Sequence, residues 1–120
     1  MYRPMTPTSP KNSMPDTESN MVFRTVFVDS DVDRAVREQA DKASVSRGEM
    51  FRRYLAQGMV LSKRGRKLAA LPSNEVPLTL RTVYLPLDVD ASLQGQAFHL
   101  RTSKSDLMRQ FLRMGMESLR

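Results

Sequence analysis

The sequence of 120 residues contains no cysteine, no tryptophan and a single histidine, His99. Disulfides and thiolate metal sites are therefore excluded, and one histidine cannot form the clusters that bind zinc or iron. No nucleophile paired with a base and no phosphate-binding glycine loop can be assembled, which argues against an enzyme. We therefore predict a protein that is not an enzyme and needs no metal and no cofactor.

Long apolar runs are also missing. No segment approaches the about 20 apolar residues that span a bilayer, and residues 1–20 lack the apolar core of a signal peptide. We therefore expect a soluble, cytoplasmic protein with no membrane partner. Residues 1–21 contain four prolines and many polar residues and have no net charge, so they predict a flexible arm.

The chain carries one unit twice. A shift of 57 positions aligns residues 23–59 with residues 80–116 without a gap. The two copies then share Arg-Thr-Val at 24–26 and 81–83, Asp-Val-Asp at 31–33 and 88–90, and Gly-Met at 58–59 and 115–116. So many matches in one register are not expected by chance, and a repeat indicates one structural unit per copy.

Copy 2 predicts a strand followed by two helices. Residues 83–85 form a short apolar run, and Pro86 ends the strand and suits the first turn of a helix. Apolar residues at helical spacing predict the first helix, which ends around Arg101. These residues are Val89, Leu93, Ala97 and Leu100. Ser103 followed by Asp106 is typical of a helix cap. The second helix has its own apolar face: Leu107, Met108, Phe111, Leu112, Met116 and Leu119.

Copy 1 repeats these elements, with a strand at 22–28, a first helix at 29–43 and a second helix at 46–59 that Ser46 caps. The first helix has four inward residues: Val32, Ala35, Val36 and Ala40. Its acidic start, at Asp29, Asp31 and Asp33, suits the helix dipole, which we favour over catalysis or metal binding. The second helices carry basic residues that we expect on a solvated face: Arg52, Arg53, Arg109 and Arg113.

Gly58 and Gly115 occupy equivalent positions in the second helices. Glycine is a poor helix former, so each position needs a reason. We favour a close approach of the two helices, with a helix stop as the alternative.

A strand, a helix, a capped turn and a helix in about forty residues resemble the ribbon-helix-helix superfamily, the MetJ and Arc group of DNA-binding proteins. The resemblance rests on RTVYLPLDVD and TSKSDLMRQFLRMGM and covers residues 23–59 and 80–119. It implies two units whose strands form one antiparallel ribbon that enters the major groove. With both units on one chain, the sequence is similar to the tandem TraY proteins of conjugative plasmids.

The expected fold is thus mainly α with a two-stranded antiparallel ribbon, as two ribbon-helix-helix units forming an intramolecular pseudo-dimer. The expected divisions of the chain are an arm at 1–21, copy 1 at 22–59, a connector at 60–79 and copy 2 at 80–120. The protein is expected to be a monomer, and several chains could lie along one DNA site.

The net charge of +6 at pH 7 indicates a polyanionic partner. Half of it lies in the connector, which has one acidic residue and a dense basic run: Lys63, Arg64, Arg66 and Lys67. The run is either a solvated linker or a phosphate contact, and we favour phosphate contact. The resemblance implies that the start of each second helix holds a further phosphate, at Ser46 and Arg47, and at Ser103 and Lys104.

Two registers of the ribbon are open. By the resemblance, Val83 faces the core, and four residues face outwards toward the bases: Thr25, Phe27, Thr82 and Tyr84. The hydroxyl groups can hydrogen-bond, whereas Phe27 offers only apolar contact, for example to a thymine methyl. The family's outward positions are usually polar, so Phe27 is a departure. A register shifted by one residue would expose Arg24 and Arg81 instead, which remain alternative base contacts.

The expected function is sequence-specific binding of double-stranded DNA. Similarity to TraY favours an accessory protein of the conjugative relaxosome that binds and bends DNA at the transfer origin and assists a relaxase. A transcriptional repressor or autoregulator is the alternative. An antitoxin-like protein-binding module is less favoured, because the toxin-binding segment of such proteins follows the second helix and this sequence ends at Arg120.

Overall fold

Residues 20–72 and 76–119, described by a computed structural model, form two strands and four helices. In chain order these are β1 (Met21–Asp29), α1 (Ser30–Ala43), α2 (Arg47–Lys63), β2 (Leu78–Pro86), α3 (Leu87–Leu100) and α4 (Lys104–Leu119). The expectation of a mainly helical fold with a two-stranded antiparallel sheet is confirmed. Most of the predicted arm, with Ser73, Asn74 and Arg120, lies outside the described residues.

The two strands pair in antiparallel fashion along their whole length, from Met21 opposite Pro86 to Asp29 opposite Leu78. Successive side chains of a strand point to opposite faces, and the inner face carries four buried apolar residues, among them Val83, as predicted. Its buried residues are Val26, Val28, Val83 and Leu85. The ribbon therefore forms one wall of the hydrophobic core.

Each strand leads directly into a helix. The N–H group of Ser30, the first residue of α1, donates to the carbonyl oxygen of Pro77 at 2.9 Å. In the other half, the N–H group of Leu87 donates to the carbonyl oxygen of Asn20 at 3.0 Å. Each first helix is thus anchored to the residue that immediately precedes the opposite strand.

The inward faces of α1 and α3 largely follow the predicted stripes. All four residues predicted for α1 are buried, as are Leu93 and Ala97 of α3, and Val89 packs partly buried against the core. The prediction is wrong for Leu100, which is 53% exposed. It is the last residue of α3, before Arg101 takes a left-handed backbone conformation with φ of 55°. Helical spacing continues the stripe past the point where the core ends.

The second helices supply much of the core. The buried residues of α4 include five of those predicted, Leu107, Met108, Phe111, Leu112 and Met116, and also Met114. Leu119 was predicted to be inward but is 45% exposed. Like Leu100, it is the final residue of its helix and has no packed surface to cover it.

The helices α2 and α4 approach closely at two glycines. A Cβ atom on Gly58 would lie 2.0 Å from the carbonyl oxygen of Phe111, and one on Gly115 would lie 2.0 Å from the carbonyl oxygen of Tyr54. Both glycines are buried inside their helices. The predicted close approach is confirmed, and the alternative of a helix stop is wrong.

Two elements extend into the predicted connector. The helix α2 continues to Lys63, into the predicted connector, instead of ending at Met59. Leu61 is buried in this extra turn, and burial of its side chain favours continuation of the helix. The helix is stopped at Gly65, whose φ of 96° is a conformation that favours glycine. The N–H group of the next residue, Arg66, donates to the carbonyl oxygen of Leu61 at 2.9 Å. The strand β2 begins at Leu78, also inside the predicted connector.

Candidate nucleic-acid interface

The outer face of the ribbon has two exposed threonines at its centre. Thr25 lies opposite Thr82, and these are equivalent positions of the two copies. Both residues are exposed, while Val26 and Val83 beside them are buried. Of the two registers that the sequence allows, the one with outward threonines is therefore the one that forms.

Apolar side chains flank the threonine pair on both sides. Phe23 lies opposite Tyr84, with ring centroids 4.9 Å apart, and Phe27 lies opposite Leu80. Each of these four side chains remains about half exposed. Folding leaves this apolar area in water although burial would be favourable, so the outer face is a candidate contact surface.

The side chains of Arg24 and Arg81 extend from the inner face of the ribbon and bind carboxylates. Arg24 donates to both carboxylate oxygens of Asp90, at 3.2 and 3.0 Å, and Arg81 donates to both oxygens of Asp33, at 2.8 and 2.9 Å. The alternative register, which would have presented these arginines in place of the threonines, is wrong. Each ion pair instead joins the strand of one copy to the first helix of the other.

The two carboxylates are held in their charged form. Hydrogen bonding from Arg81 lowers the pKa of Asp33 below its ordinary value of 3.8, against the opposing effect of burial. Burial raises the pKa of Asp90, but hydrogen bonds from Arg24 and Lys104 outweigh it, so this pKa is also lowered. Parallel charge-assisted hydrogen bonds fix the orientation of both arginines.

Each second helix begins at a capping serine, as predicted. The hydroxyl oxygen of Ser46 accepts a hydrogen bond from the N–H group of Glu49 at 3.0 Å, and that of Ser103 accepts one from the N–H group of Asp106 at 3.0 Å. The remaining N–H groups of a first turn have no partner within the helix. Together with the helix dipole they make each start a candidate anion site.

Both helix starts lie beside the ribbon. Arg47 and Gly48, at the start of α2, line a cleft together with Arg81 and Thr82 of β2. At the start of α4, Lys104 binds the carboxylate that also binds Arg24 of β1. The ribbon is therefore flanked by one helix start on each side.

The cations predicted to bind phosphate at the two helix starts differ in their surroundings. Arg47 is exposed and contributes to the lowered pKa of Asp33. Lys104 is less accessible, with its Nζ atom 2.5 Å from Oδ1 of Asp90 and a side chain 25% exposed. A phosphate at α4 would compete with Asp90 for Lys104, whereas Arg47 makes no direct ion pair within the described part of the chain.

The basic run of the connector is exposed, and its first residue lies beside α3. Lys63, Arg64, Arg66 and Lys67 are all exposed. Lys63 lines a cavity with Ser92 and Gln96, in the middle of α3. The chain then turns onto the core, where the carbonyl oxygen of Ala69 accepts a hydrogen bond from Gln110 at 2.9 Å. The described contacts bring no residue of the run to the threonine pair.

Sequence reasoning missed a buried charge cluster at the start of α1. Asp29 is 1% exposed, and its carboxylate accepts hydrogen bonds from Arg109 at 2.7 Å and Arg113 at 2.8 Å. Arg113 also donates to Asp31, and this hydrogen bond lowers the pKa of Asp31. The expectation of solvated side chains is wrong for Arg109 and Arg113, which are 13% exposed.

The cluster joins copy 1 to copy 2 and is not repeated at the equivalent positions. Under the shift of 57 positions, Asp29 aligns with Pro86 and Arg113 aligns with Ala56. Asp29 and Arg113 thus have no counterparts at the equivalent positions, whereas Arg109 has Arg52. This paired departure from the repeat was the sequence signal that could have indicated an ion pair between the two positions.

Membrane-spanning and metal-binding features are absent from residues 20–72 and 76–119. Within these ranges no helix is both long and apolar enough to cross a bilayer. The same ranges contain no group of three or more histidine, cysteine or acidic side chains arranged to hold a metal ion.

Comparison of the chain with protein-family models, with curated proteins and with solved structures found no match in any of the three.

Proposed function

We propose that the chain binds double-stranded DNA with the outer face of its ribbon in the major groove. The observation that carries the proposal is an exposed two-stranded ribbon with a capped helix start on each side. A two-stranded ribbon fits the major groove, which is about 12 Å wide. Helix starts on either side can hold the phosphates that border the groove. Thr25 and Thr82 then reach base edges through their hydroxyl groups.

We further propose that the fold is an intramolecular pseudo-dimer of two ribbon-helix-helix units. Three sets of contacts between equivalent positions support this. The central strand residues Thr25 and Thr82 face each other. The two arginine–aspartate pairs of the strands are equivalent to one another, and so are the contacts of Gly58 and Gly115. Each contact joins one copy to the other, so neither copy completes its core alone.

The preferred DNA site is an imperfect palindrome. Its two halves meet different side chains, because an aromatic pair lies on one side of the threonines and Phe27 with Leu80 lies on the other. Affinity comes mainly from phosphate neutralisation, and specificity comes from the outer strand residues and from DNA shape. The protein acts alone as a monomer, or as several chains along one site.

We propose a TraY-like role as an accessory protein of the conjugative relaxosome, binding and bending DNA at a transfer origin beside a relaxase. A repressor or autoregulator of the ribbon-helix-helix type is the alternative, and it uses the same surface. An antitoxin would combine that surface with a toxin-binding segment. The position of the bound site in a genome separates the first two roles, since one lies beside a transfer origin and the other over a promoter.

The test is selection of duplexes from a randomised library by the purified chain at two salt concentrations. We expect enrichment of a short, slightly asymmetric site and an affinity that falls steeply as salt rises. Replacing Thr25 and Thr82 with alanine is expected to relax preference at the central base pairs, by about 1–3 kcal/mol for each well-formed hydrogen-bonded pairing with a base. Ser92→Ala is a matched control on an exposed helix position. Absence of both enrichment and salt-dependent binding would contradict DNA binding.

The connector is tested separately by replacing its four basic residues with glutamine. If the run contacts phosphates, the slope of log affinity against log salt falls by about 0.9 for each phosphate that is no longer neutralised. The enriched sequence is expected to stay the same, because phosphate contacts carry no direct sequence information. An unchanged slope would identify the run as a solvated linker.

A further inference from the structure

The outer face of the ribbon is mainly apolar, which restricts what it can recognise in a groove. Phe27 and Leu80 form a pair with no polar side-chain atom, and both are about half exposed. On the other side of the threonines, Phe23 is paired with Tyr84, which adds one phenol hydroxyl. Three of these four side chains therefore cannot recognise a base by hydrogen bonding.

The major groove offers one apolar group, the 5-methyl group of thymine, and every other base edge there presents hydrogen-bond donors or acceptors. Burying a donor or acceptor against Phe27 or Leu80 without a partner is unfavourable. Burying a methyl group against them is favourable because it removes apolar surface from water. The chemistry of the face thus selects thymine over the other bases.

The charges around the face indicate DNA as the occupant in preference to a second copy of the chain. On one side of the ribbon lies the capped start of α2, with the exposed Arg47. On the other side lies the capped start of α4, with Lys104. Two copies that met face to face would bring these positive ends together, whereas the phosphates that border a groove would neutralise them.

Building on the proposed DNA-binding function, we infer that the ribbon reads thymine 5-methyl groups on both sides of a central, threonine-contacted pair. The dependence on methyl groups is greatest in the half that meets Phe27 and Leu80, since that pair has no alternative contact to offer. The half that meets Phe23 and Tyr84 depends less on methyl groups, because the phenol hydroxyl adds a hydrogen bond. The same chemistry accepts 5-methylcytosine, which presents its methyl group at the same place in the groove.

The test uses the duplex enriched in the selection and matched duplexes in which deoxyuridine replaces thymine, one half at a time. This replacement removes only the methyl group and keeps base pairing. We expect affinity to fall about fourfold for each methyl group contacted, equal to about 0.8 kcal/mol. The loss is expected to be larger in one half than in the other, and a 5-methylcytosine placed there restores part of it.

Three variants assign the effect to side chains. Phe27→Ala and Leu80→Ala are expected to abolish the difference between thymine and deoxyuridine in the more sensitive half. Phe98→Ala is the matched control, since it removes an exposed phenyl ring from α3, outside the ribbon, and it is expected to leave the thymine preference unchanged. All three side chains are about half exposed or more, so each variant is expected to remain folded, with at most a small loss of stability from a weakened cross-strand pair.

The outcomes separate this inference from the proposed function. Binding with equal affinity to thymine and deoxyuridine duplexes would overturn methyl recognition while leaving DNA binding intact. Failure to bind any duplex in a salt-dependent manner would overturn both. A change in oligomeric state in Phe27→Ala, with the thymine preference unchanged, would show that the face contacts a second copy and would also overturn the inference.

Discussion

Replacing Gly58 or Gly115 with alanine tests the close crossing of α2 and α4. Glycine in a helix interior costs about 1 kcal/mol relative to alanine, so helix propensity alone predicts that either substitution stabilises the chain. The structure predicts the opposite. Each new Cβ atom would lie 2.0 Å from a carbonyl oxygen of the facing helix, whereas real Cβ atoms essentially never come within 3.0 Å.

The magnitude follows from this distance. The two helix backbones must separate by about 1 Å, and the buried neighbours Tyr54 and Phe111 must move with them. Forcing extra volume into a packed core, including the backbone shifts that this requires, costs typically about 1–3 kcal/mol. The gain of about 1 kcal/mol in helix propensity offsets part of this cost, so we expect each variant to lose up to about 2 kcal/mol of unfolding free energy. This is a large fraction of the about 5–15 kcal/mol that holds a small domain folded.

Urea unfolding followed by circular dichroism measures the change, and Gly95→Ala is the matched control. Gly95 lies within α3, is exposed, and has open space where a Cβ atom would be placed. We expect this control to stabilise the chain by about 0.5–1 kcal/mol. If Gly58→Ala or Gly115→Ala raised the stability as Gly95→Ala does, the close crossing of the two helices would be refuted.

The ion pairs give two further predictions. Because the pKa values of Asp33 and Asp90 are lowered on folding, their contribution to stability is fully present above the unfolded pKa of about 3.9. This contribution is lost as the pH falls below that value. The double variant Asp33→Asn with Asp90→Asn is therefore expected to lose less unfolding free energy than the original chain between pH 7 and pH 2. Arg113→Ala leaves the buried carboxylate of Asp29 with one arginine in place of two. Removing one partner of a buried ion pair costs about 3–5 kcal/mol, and this is an upper bound here because one arginine remains. The control is Arg53→Ala, which removes an exposed ion pair and is expected to change the unfolding free energy by less than about 0.5 kcal/mol. Equal losses in Arg113→Ala and Arg53→Ala would contradict the argument that burial makes the Asp29 ion pair costly to break.

The repeat made much of the fold accessible from the sequence. Periodicity located both strands and all four helices, and the capping serines were predicted correctly. The errors in the apolar stripes and in the length of α2 lie at the ends of helices. Leu100 and Leu119 continue their apolar stripes but are exposed, and α2 runs on to Lys63. An apolar stripe indicates which side of a helix faces the core. How far along the helix that side is covered depends on the element that packs against it.

The sequence predicted which residues form the ribbon, but it left open which of them face outwards. The sequence allowed either the threonines or Arg24 and Arg81 to face outwards, because both sides of the strand contain apolar residues. The structure has the threonines outside. The arginines lie on the core side of the strands with their side chains about half exposed. There Asp33 and Asp90, each on the first helix of the other copy, each accept two parallel hydrogen bonds from one arginine.

The sequence by itself determined the repeat, the order of strands and helices, the capped helix starts and the two glycine positions, because each of these is local or recurs at a constant spacing. Only the tertiary structure decided the register of the ribbon and the cluster in which Arg109 and Arg113 bind Asp29. These features join residues about 50 to 80 positions apart, and local propensities do not determine such distances. They follow from packing one copy against the other, which sets the carboxylates that each arginine can reach.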